Sequence, residues 1–436
     1  MKLSVIGCGY LGAVHAASMA ELGHDVVGID VDSAKIAMLA EGKAPFFEPG
    51  LPEILTSALA TGRLRFSTDL ADARGAVAHF IAVGTPQRKG ENAADMTYVN
   101  GAVDGLIPHL SDGDLVVGKS TVPVGTAARL AEKVRASSGA DLAWNPEFLR
   151  EGFAVEDTIR PDRLVYGLPD GDARVAAKAI LDEVYASALS HDTPLVVTDY
   201  ATAELVKVSA NAFLATKISF INAMAEIAEV TGADVTQLAD AIGFDVRIGR
   251  RFLNAGVGFG GGCLPKDIRA FTARAEELGR GESVAFLKEV DSINLRRRDR
   301  VVDLTVDALG GKPHGKKVAV LGLSFKPHSD DVRDSPALDV AVRLKGLGAD
   351  VVATDPEAIE PARRLHPQLV FTTSTEDALR DADVVVLVTE WREFRDLVPA
   401  DVAALVKGRT IIDGRNCLDP ASWREAGFTY VGLGRP

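Results

Sequence analysis

Cys263 closes a stretch, Gly256-Val257-Gly258-Phe259-Gly260-Gly261-Gly262, in which five of seven residues are glycine, and Leu264-Pro265-Lys266-Asp267 follow it. A thiol becomes a nucleophile when it ionises, and a nearby ammonium such as that of Lys266 favours the ionised form. Free cysteines are more often small buried hydrophobes. So much bare backbone before this one is seldom needed for packing, and it reads as room for a substrate beside the sulfur. Cys8 and Cys417 read as structural bystanders. Three cysteines far apart exclude a disulfide framework and a cysteine-based zinc site, and no metal is expected. They fit a reducing compartment, so the cytoplasm is the expected location.

A second group of residues points to phosphate binding. Gly7-Cys8-Gly9-Tyr10-Leu11-Gly12 follows an apolar run and opens a helical one. Gly7 permits a tight turn, Gly9 lets the backbone approach a pyrophosphate, and Gly12 packs helix on strand. The pyrophosphate then faces the free N–H groups and positive end of the helix. Asp30 ends the next apolar run, where a carboxylate can take both ribose hydroxyls. Val31 and Asp32 follow it instead of an arginine, so a 2′-phosphate would meet negative charge and NAD is favoured over NADP. Thr85 and Thr121 lie just past two later strands, where open α/β sheets bind ligands, although plain turns explain each equally well.

Two further sets have the right types for proton handling. Glu147 and Glu151 stand four apart in Asn145-Pro146-Glu147-Phe148-Leu149-Arg150-Glu151-Gly152, and share one side if that turn is helical. Lys207 and Asn211 have the same spacing among Ala, Val, Leu and Phe. A lysine there can stabilise an oxyanion or take a proton, or it can merely snorkel to solvent.

The elements that must position these residues come in three blocks. Lys2–Ile6, Asp25–Ile29, Phe80–Val83 and Leu115–Lys119 read as buried strands, with helices over Leu11–Leu22 and Gly125–Val134 between them. Strand–helix alternation implies a parallel, doubly wound sheet. From Asp199 to Thr231 no Gly or Pro interrupts a helix of roughly 33 residues, about 50 Å long; a break near Asn211 or Asn222 is the alternative. Lys317–Leu321, Asp350–Thr354, Val384–Val388 and Thr410–Ile412 then resume the strand pattern, with a helix over Pro336–Leu347. The expected organisation is an α/β chain of two Rossmann-like domains, 1–198 and 301–436, joined by a long-helix region over 199–300. Arg296–Arg300 reads as a solvated helix face.

In order and over nearly the whole chain, these segments resemble the nucleotide-sugar 6-dehydrogenases. The resemblance rests on Gly7–Gly12, Ser120–Thr126, Asn145–Gly152, Lys207 with Asn211, Arg247-Ile248-Gly249, the loop ending in Cys263, Gly322–Arg333 and Asp413-Gly414-Arg415. It implies oxidation of a sugar C6 alcohol to a carboxylate with two NAD⁺. Cys263 would form a thiohemiacetal and then a thioester. Lys207 and Asn211 would stabilise oxygen charge, with Lys207 also a candidate base. Glu147, Glu151, Thr121 and Asp267 would orient water and move protons. For NAD it implies Asp30, Lys35, Thr85, Thr121, Glu151, Lys266 and Arg333 beside the glycine turn. For the nucleotide sugar it implies Glu147, Phe148, Leu149, Arg150, Glu151, Lys207, Asn211, Phe252, Leu253, Asn254, Ala255, Gly256, Gly260, Lys326 and Arg415. Arg247 would reach the sugar across the interface of a homodimer or higher oligomer. Gly262, where serine is usual, and Phe153, where a small residue is common, depart from the pattern.

The segments 145–152 and 247–256 look most like members acting on UDP-glucose. GDP-mannose, UDP-N-acetylmannosamine and UDP-N-acetylglucosamine remain open as substrates. A two-electron hydroxyacid dehydrogenase and an NAD-sensing regulator are more distant alternatives; the first needs no Cys263, and the second needs a recognition module that is not seen. A charge of −13, from 48 Lys+Arg against 61 Asp+Glu, argues against general nucleic-acid binding. No run reaches the ~18–20 apolar residues that span a bilayer. The apolar run after Lys2 stops at Gly7, before a signal peptide's h-region is built.

Overall fold

The computed structural model describes residues 1–436. They form two compact units, Met1–Ala210 with Ala273–Gly279, and Asn211–Thr272 with Arg280–Pro436.

The first unit is built on eight strands: β1 Lys2–Ile6, β2 Asp25–Ile29, β3 Leu64–Ser67, β4 Ala78–Ile81, β5 Leu115–Gly118, β6 Asp141–Trp144, β7 Leu164–Gly167 and β8 Leu195–Thr198. Their order is β3-β2-β1-β4-β5-β6-β7-β8. All neighbours are parallel except β6 and β7, which meet antiparallel at Trp144 and Gly167. β1 sits between β2 and β4, with Leu3 opposite Val26 on one side and Ala78 on the other. The winding direction reverses there, so the turn after β1 opens at the switch point where such sheets bind ligands. β4 starts two residues before the expected position, because a polar residue belongs to it: His79 is buried, with Nδ1 2.8 Å from Ser4 Oγ.

The second unit carries β9 Lys317–Leu321, β10 Asp350–Thr354, β11 Val370–Phe371, β12 Val384–Leu387, β13 Thr410–Asp413 and β14 Thr429–Gly432. They form a parallel sheet in the order β11-β10-β9-β12-β13-β14. Its first turn repeats the construction of the other sheet. Gly7 N donates to Ile29 O at 2.7 Å, and Gly322 N to Thr354 O at 2.9 Å. Each following N–H, of Cys8 and of Leu323, meets a carboxylate just past the neighbouring strand, Asp30 and Asp355, at 2.7 Å.

The helix Tyr200–Thr231 runs unbroken for 32 residues through the boundary between the units. Asp199 caps it by accepting from Thr202 N at 2.8 Å, and Gly232, at φ +76°, follows its end. Asn211 and Asn222 do not break it, because their side chains are engaged away from their own backbone: Asn211 donates to Asp267, and Asn222 accepts from Gly256 N.

Arg296–Arg300 is a solvated face only in part: Arg296 and Asp299 are exposed, but the two arginines between them are not. Arg297 and Arg298 are 1% and 4% exposed on the helix Phe286–Ala308. Arg297 donates to Glu229 at 2.7 Å, and Arg298 pairs with Asp334 at 2.8 Å. Buried guanidinium groups need such acids, and a run of charges cannot reveal partners that lie far away in sequence. No helix is long and apolar enough to cross a membrane, and no cluster of His, Cys, Asp and Glu is arranged to hold a metal ion.

Candidate active site

The turn after β1 has the geometry of a dinucleotide cradle. Gly7 adopts φ +92°, and a Cβ there would press on Val83 N at 2.9 Å. A Cβ at Gly12 would collide with the carbonyl oxygen of Gly7, whereas one at Gly9 would meet open space. Bare backbone is therefore structural at Gly7 and Gly12 and exposed to a ligand at Gly9. The helix Tyr10–Glu21 begins immediately after, offering unsatisfied N–H groups to an anion. Asp30 accepts from Cys8 N, from Asp32 N at 3.0 Å and from Lys35 Nζ at 3.0 Å. Burial opposes its ionised form, but the bonds from Asp32, Lys35 and Cys8 outweigh that and hold the carboxyl below its ordinary range. Cys8 itself is pushed up to about 12 by burial and by Asp30, so it is inert as a nucleophile. Thr85 Oγ1 donates to Thr121 O at 2.8 Å, which ties together the turns after β4 and β5.

The carboxylate segment is a loop, not a helix. Residues 145–150 are irregular, Gly152 has φ +82°, and a helix starts only at Ala154. Pro146 disfavours helical backbone at Asn145, and Glu147 spends one oxygen on Leu149 N at 2.7 Å. The two acids therefore do not share a helical face. Arg150 grips Asp157 through Nε at 2.9 Å and Nη2 at 2.6 Å. Phe148 lies under the Arg163 guanidinium, 3.8 Å from its ring centre. Glu151 is buried. At the far end Glu48, 3% exposed, accepts from Gly152 N at 2.6 Å, from Ala154 N at 2.7 Å and from the Tyr10 hydroxyl. The loop is thus anchored to the dinucleotide turn.

Lys207 does not snorkel. It is 5% exposed, with Nζ 3.0 Å from Glu147 Oε1 and 5.6 Å from the centre of the Phe148 ring. One turn earlier on the helix, Glu204 accepts from Gly125 N and Ala127 N, both at 2.7 Å, and so caps the helix Thr126–Ser138. Burial raises its pKa against those bonds. Sequence reading missed Glu204; an acid on the same helical face as Lys207 and Asn211 was the available signal.

In the second unit, Asn211 Nδ2 donates to Asp267 Oδ2 at 2.6 Å, and Lys266 Nζ donates to Asp267 Oδ1 at 2.6 Å. Asp267 is 2% exposed. Cys263 is exposed, and its carbonyl accepts from Asp267 N at 2.9 Å, so it caps the helix Leu264–Glu277. An anion forming at the sulfur meets the positive end of that helix. The glycines before it serve packing rather than open space. A Cβ at Gly258 would strike Asn294, one at Gly260 the Asp334 carbonyl, one at Gly261 the Phe325 ring, and one at Gly262 the Arg333 guanidinium. That overturns the reading of bare backbone as room for a substrate. At Gly262 the neighbour is the far end of a flexible side chain, Arg333, which forks onto Asp331, so packing does not account for the departure from serine there.

The remaining expected ligands are spread over the second unit. Arg415 donates to Val388 O at 2.8 Å, Gly258 O at 2.9 Å and Phe325 O at 2.9 Å, and so braces three loops. Lys326 Nζ lies 5.4 Å from the centre of the Phe325 ring. Leu253, Ala255, Gly256 and Gly260 are buried, whereas Phe252 and Asn254 are exposed. Arg247 is exposed and paired with Asp245 at 2.6 Å.

Asn294 was also missed. Fully buried, it accepts from Phe259 N at 2.7 Å and donates to Phe259 O at 2.9 Å, which fixes the loop that leads to Cys263. Asn294→Ala leaves the Phe259 N–H unpaired, at about 1–3 kcal/mol, and leaves the Phe259 carbonyl only its long bond from Arg298 at 3.4 Å. The expected result is a lower melting temperature together with impaired turnover. A variant that melts and turns over like wild type would contradict this role.

A dinucleotide turn in one parallel sheet, a second Rossmann-like sheet and an exposed thiol on a helix cap define an oxidoreductase of the nicotinamide-dependent class. Residues 1–189, 201–296 and 319–420 match, in turn, the NAD binding, central and UDP binding domains of the UDP-glucose/GDP-mannose dehydrogenase family. A UDP-glucose 6-dehydrogenase of Rhizobium meliloti is 42% identical over the full length of both chains. The UDP-glucose 6-dehydrogenase TuaD of Bacillus subtilis is 41% identical over 100% of this chain and 93% of its own. The structure of a UDP-glucose dehydrogenase from Pyrobaculum islandicum superposes with a TM-score of 0.91 at 39% identity, over 100% of this chain and 98% of the other. The chain belongs to the UDP-glucose/GDP-mannose dehydrogenase family and carries its NAD-binding domain.

Proposed function

We propose that the chain oxidises UDP-glucose to UDP-glucuronate, using two NAD⁺ per sugar. The observation that carries this is the exposed Cys263 thiol at a helix N-terminus, beside the Asp267–Asn211–Lys266 cluster. An alcohol-to-aldehyde oxidation needs no thiol, whereas an aldehyde must first take up a second heteroatom at C6 before it can lose another hydride, and a thiol supplies one as a thiohemiacetal. NAD⁺ held at the turn after β1 by Gly9 and Asp30 would supply the hydride acceptor for two successive rounds. In the first, Lys207 accepts the C6 hydroxyl proton as C6 becomes an aldehyde. The Cys263 thiolate then adds to C6, and Asn211 and Lys207 hold the resulting oxyanion until it is protonated. Loss of the second hydride and the hydroxyl proton leaves a thioester. Water cleaves it to the carboxylate and the thiol, with Glu147, Glu151, Thr121 and Asp267 orienting the water and moving its protons.

The cofactor is assigned to Gly7, Gly9, Tyr10, Leu11, Gly12, Asp30, Lys35, Thr85, Thr121, Glu151, Lys266 and Arg333. The sugar nucleotide is assigned to 147–151, Lys207, Asn211, 252–256, Gly260, Lys326 and Arg415. Domains are assigned as 1–198 for the cofactor, 199–300 for dimerisation and 301–436 for the sugar nucleotide. Phe213, Phe220 and Ile227 are exposed at seven-residue spacing on the long helix, which supports a homodimer. Arg247 would then serve the partner's sugar. A cytoplasmic location agrees with three cysteines too far apart in sequence for a disulfide framework.

Relatives at about 40% identity favour UDP-glucose over the sugar of a UDP-D-ManNAc dehydrogenase from Pyrococcus horikoshii, whose structure is 27% identical. Purified enzyme should reduce NAD⁺ fastest with UDP-glucose among UDP-glucose, GDP-mannose, UDP-N-acetylmannosamine and UDP-N-acetylglucosamine. Faster turnover of another member of that set would reassign the substrate. Asp30→Ala should raise KM for NAD⁺ about 10–100-fold, from the loss of charge-assisted hydrogen bonds to the ribose. An unchanged KM would remove Asp30 from the cofactor site.

A further inference from the structure

Glu48 lies between the helices Ser33–Ala40 and Leu51–Ala60, is buried, and has no part in the chemistry above. Three neutral donors meet its carboxylate: Gly152 N at 2.6 Å, Ala154 N at 2.7 Å and the Tyr10 hydroxyl. Gly152 N also lies 3.1 Å from the Tyr10 oxygen, and the rings of Tyr10 and Phe46 pack with centres 4.8 Å apart. Three donors and no acceptor call for a side chain that only accepts, which a carboxylate does and an amide does not. Burying an acid is costly unless such bonds hold it, so the place it holds indicates what it is for. That place is the peptide just after Glu151. On the other flank of Glu151, Arg150 N donates to Asp157 Oδ2 at 2.8 Å. The N–H groups before and after Glu151 are therefore each given to a carboxylate. Of the two acids, only Glu48 reaches back to the dinucleotide turn, through Tyr10.

We infer that Glu48 is a positioning residue for Glu151, acting through the Gly152 peptide and bracing it against the dinucleotide turn at Tyr10. This rests on the reading of Glu151 as one of the groups that orient water and move protons when the Cys263 thioester is cleaved. Glu48→Gln turns an NH₂ toward one of the three donors. The Gly152 or Ala154 N–H then loses its acceptor, and the loop carrying Glu151 shifts. Attack by water depends on where its orienting groups stand, and a displacement of about 1 Å costs on the order of 10²-fold. The two hydride steps run on Lys207 and Cys263, neither of which bonds to Glu48, so they are spared.

The test is a single turnover, with enzyme in excess over UDP-glucose and NAD⁺ saturating. NADH is followed optically, and the thioester on Cys263 by mass spectrometry of the acid-quenched intact protein. Wild type is compared with Glu48→Gln, Glu48→Asp, Glu151→Gln and the double variant Glu48→Gln/Glu151→Gln. Glu48→Gln should form NADH at the wild-type rate, while the thioester decays about 10–100-fold more slowly. Glu48→Asp still only accepts but is one methylene shorter, and its decay should fall between the two. The double variant should decay no more slowly than Glu151→Gln, because both changes take the same group out of place. If Glu48→Gln does not fold, the decay in Glu48→Asp alone decides. NADH formation and thioester decay slowed by one common factor, or losses that multiply in the double variant, would make Glu48 a structural anchor and overturn the proposal. Wild-type decay in Glu151→Gln would overturn it by removing Glu151 from the water step. Wild type that is inactive on UDP-glucose would instead refute the proposed function.

Discussion

Cys263→Ser loses steady conversion of UDP-glucose to the acid by about 10³-fold or more, with folding and NAD⁺ affinity intact. Serine has the same shape and is only slightly smaller, and the side chain is exposed at the cap of the helix Leu264–Glu277, so little packing is lost. What disappears is a sulfur that adds to an aldehyde and later leaves as a thiolate, both of which an alcohol oxygen does poorly. The hydride step from the alcohol does not use the sulfur, so aldehyde-level oxidation should outlast acid formation. The same residue should dominate alkylation. Burial pushes Cys8 up to about 12, and burial followed by Asp413 raises Cys417 as well. Iodoacetamide at neutral pH should therefore label Cys263 first, with activity falling in step. Wild-type acid production by the serine variant would remove the sulfur from the chemistry.

Lys207→Met has the second largest expected effect, a fall in kcat of about 10²–10⁴-fold. It also breaks a pair whose side chains are 7% and 14% exposed. Removing one partner of a buried ion pair leaves the other uncompensated, at about 3–5 kcal/mol. Stability and catalysis can be separated by a double variant. Lys207→Met with Glu147→Gln should recover much of the melting temperature, because no charge is stranded, and should recover none of the rate. Recovery of both would make the pair structural.

The backbone frame was legible from apolar runs and punctuation. β1, β2, β9 and β10 fall at their expected bounds, and the long helix needed only the absence of Gly and Pro. Cys263 and Lys207 stood out by residue type against their neighbours. What escaped depends on partners distant in sequence. Glu204 caps a helix that starts some eighty positions earlier, and Asn294 clamps Phe259. Glu48 joins Tyr10 to Gly152 through contacts no local pattern encodes. Arg297 and Arg298 looked solvated for the same reason. The glycines before Cys263 were noticed but misread, since composition records a missing Cβ and not what fills its place. The acidic net charge was no obstacle to binding dianions, because cradle geometry and local cations do that work.

The most direct test is the ratio of NADH formed to UDP-glucose consumed in a single limiting-substrate reaction, with the product identified by mass spectrometry. The expected result is two NADH per sugar and a uronic acid with an intact UDP group. One NADH per sugar, with an aldehyde or ketone as product, would contradict it.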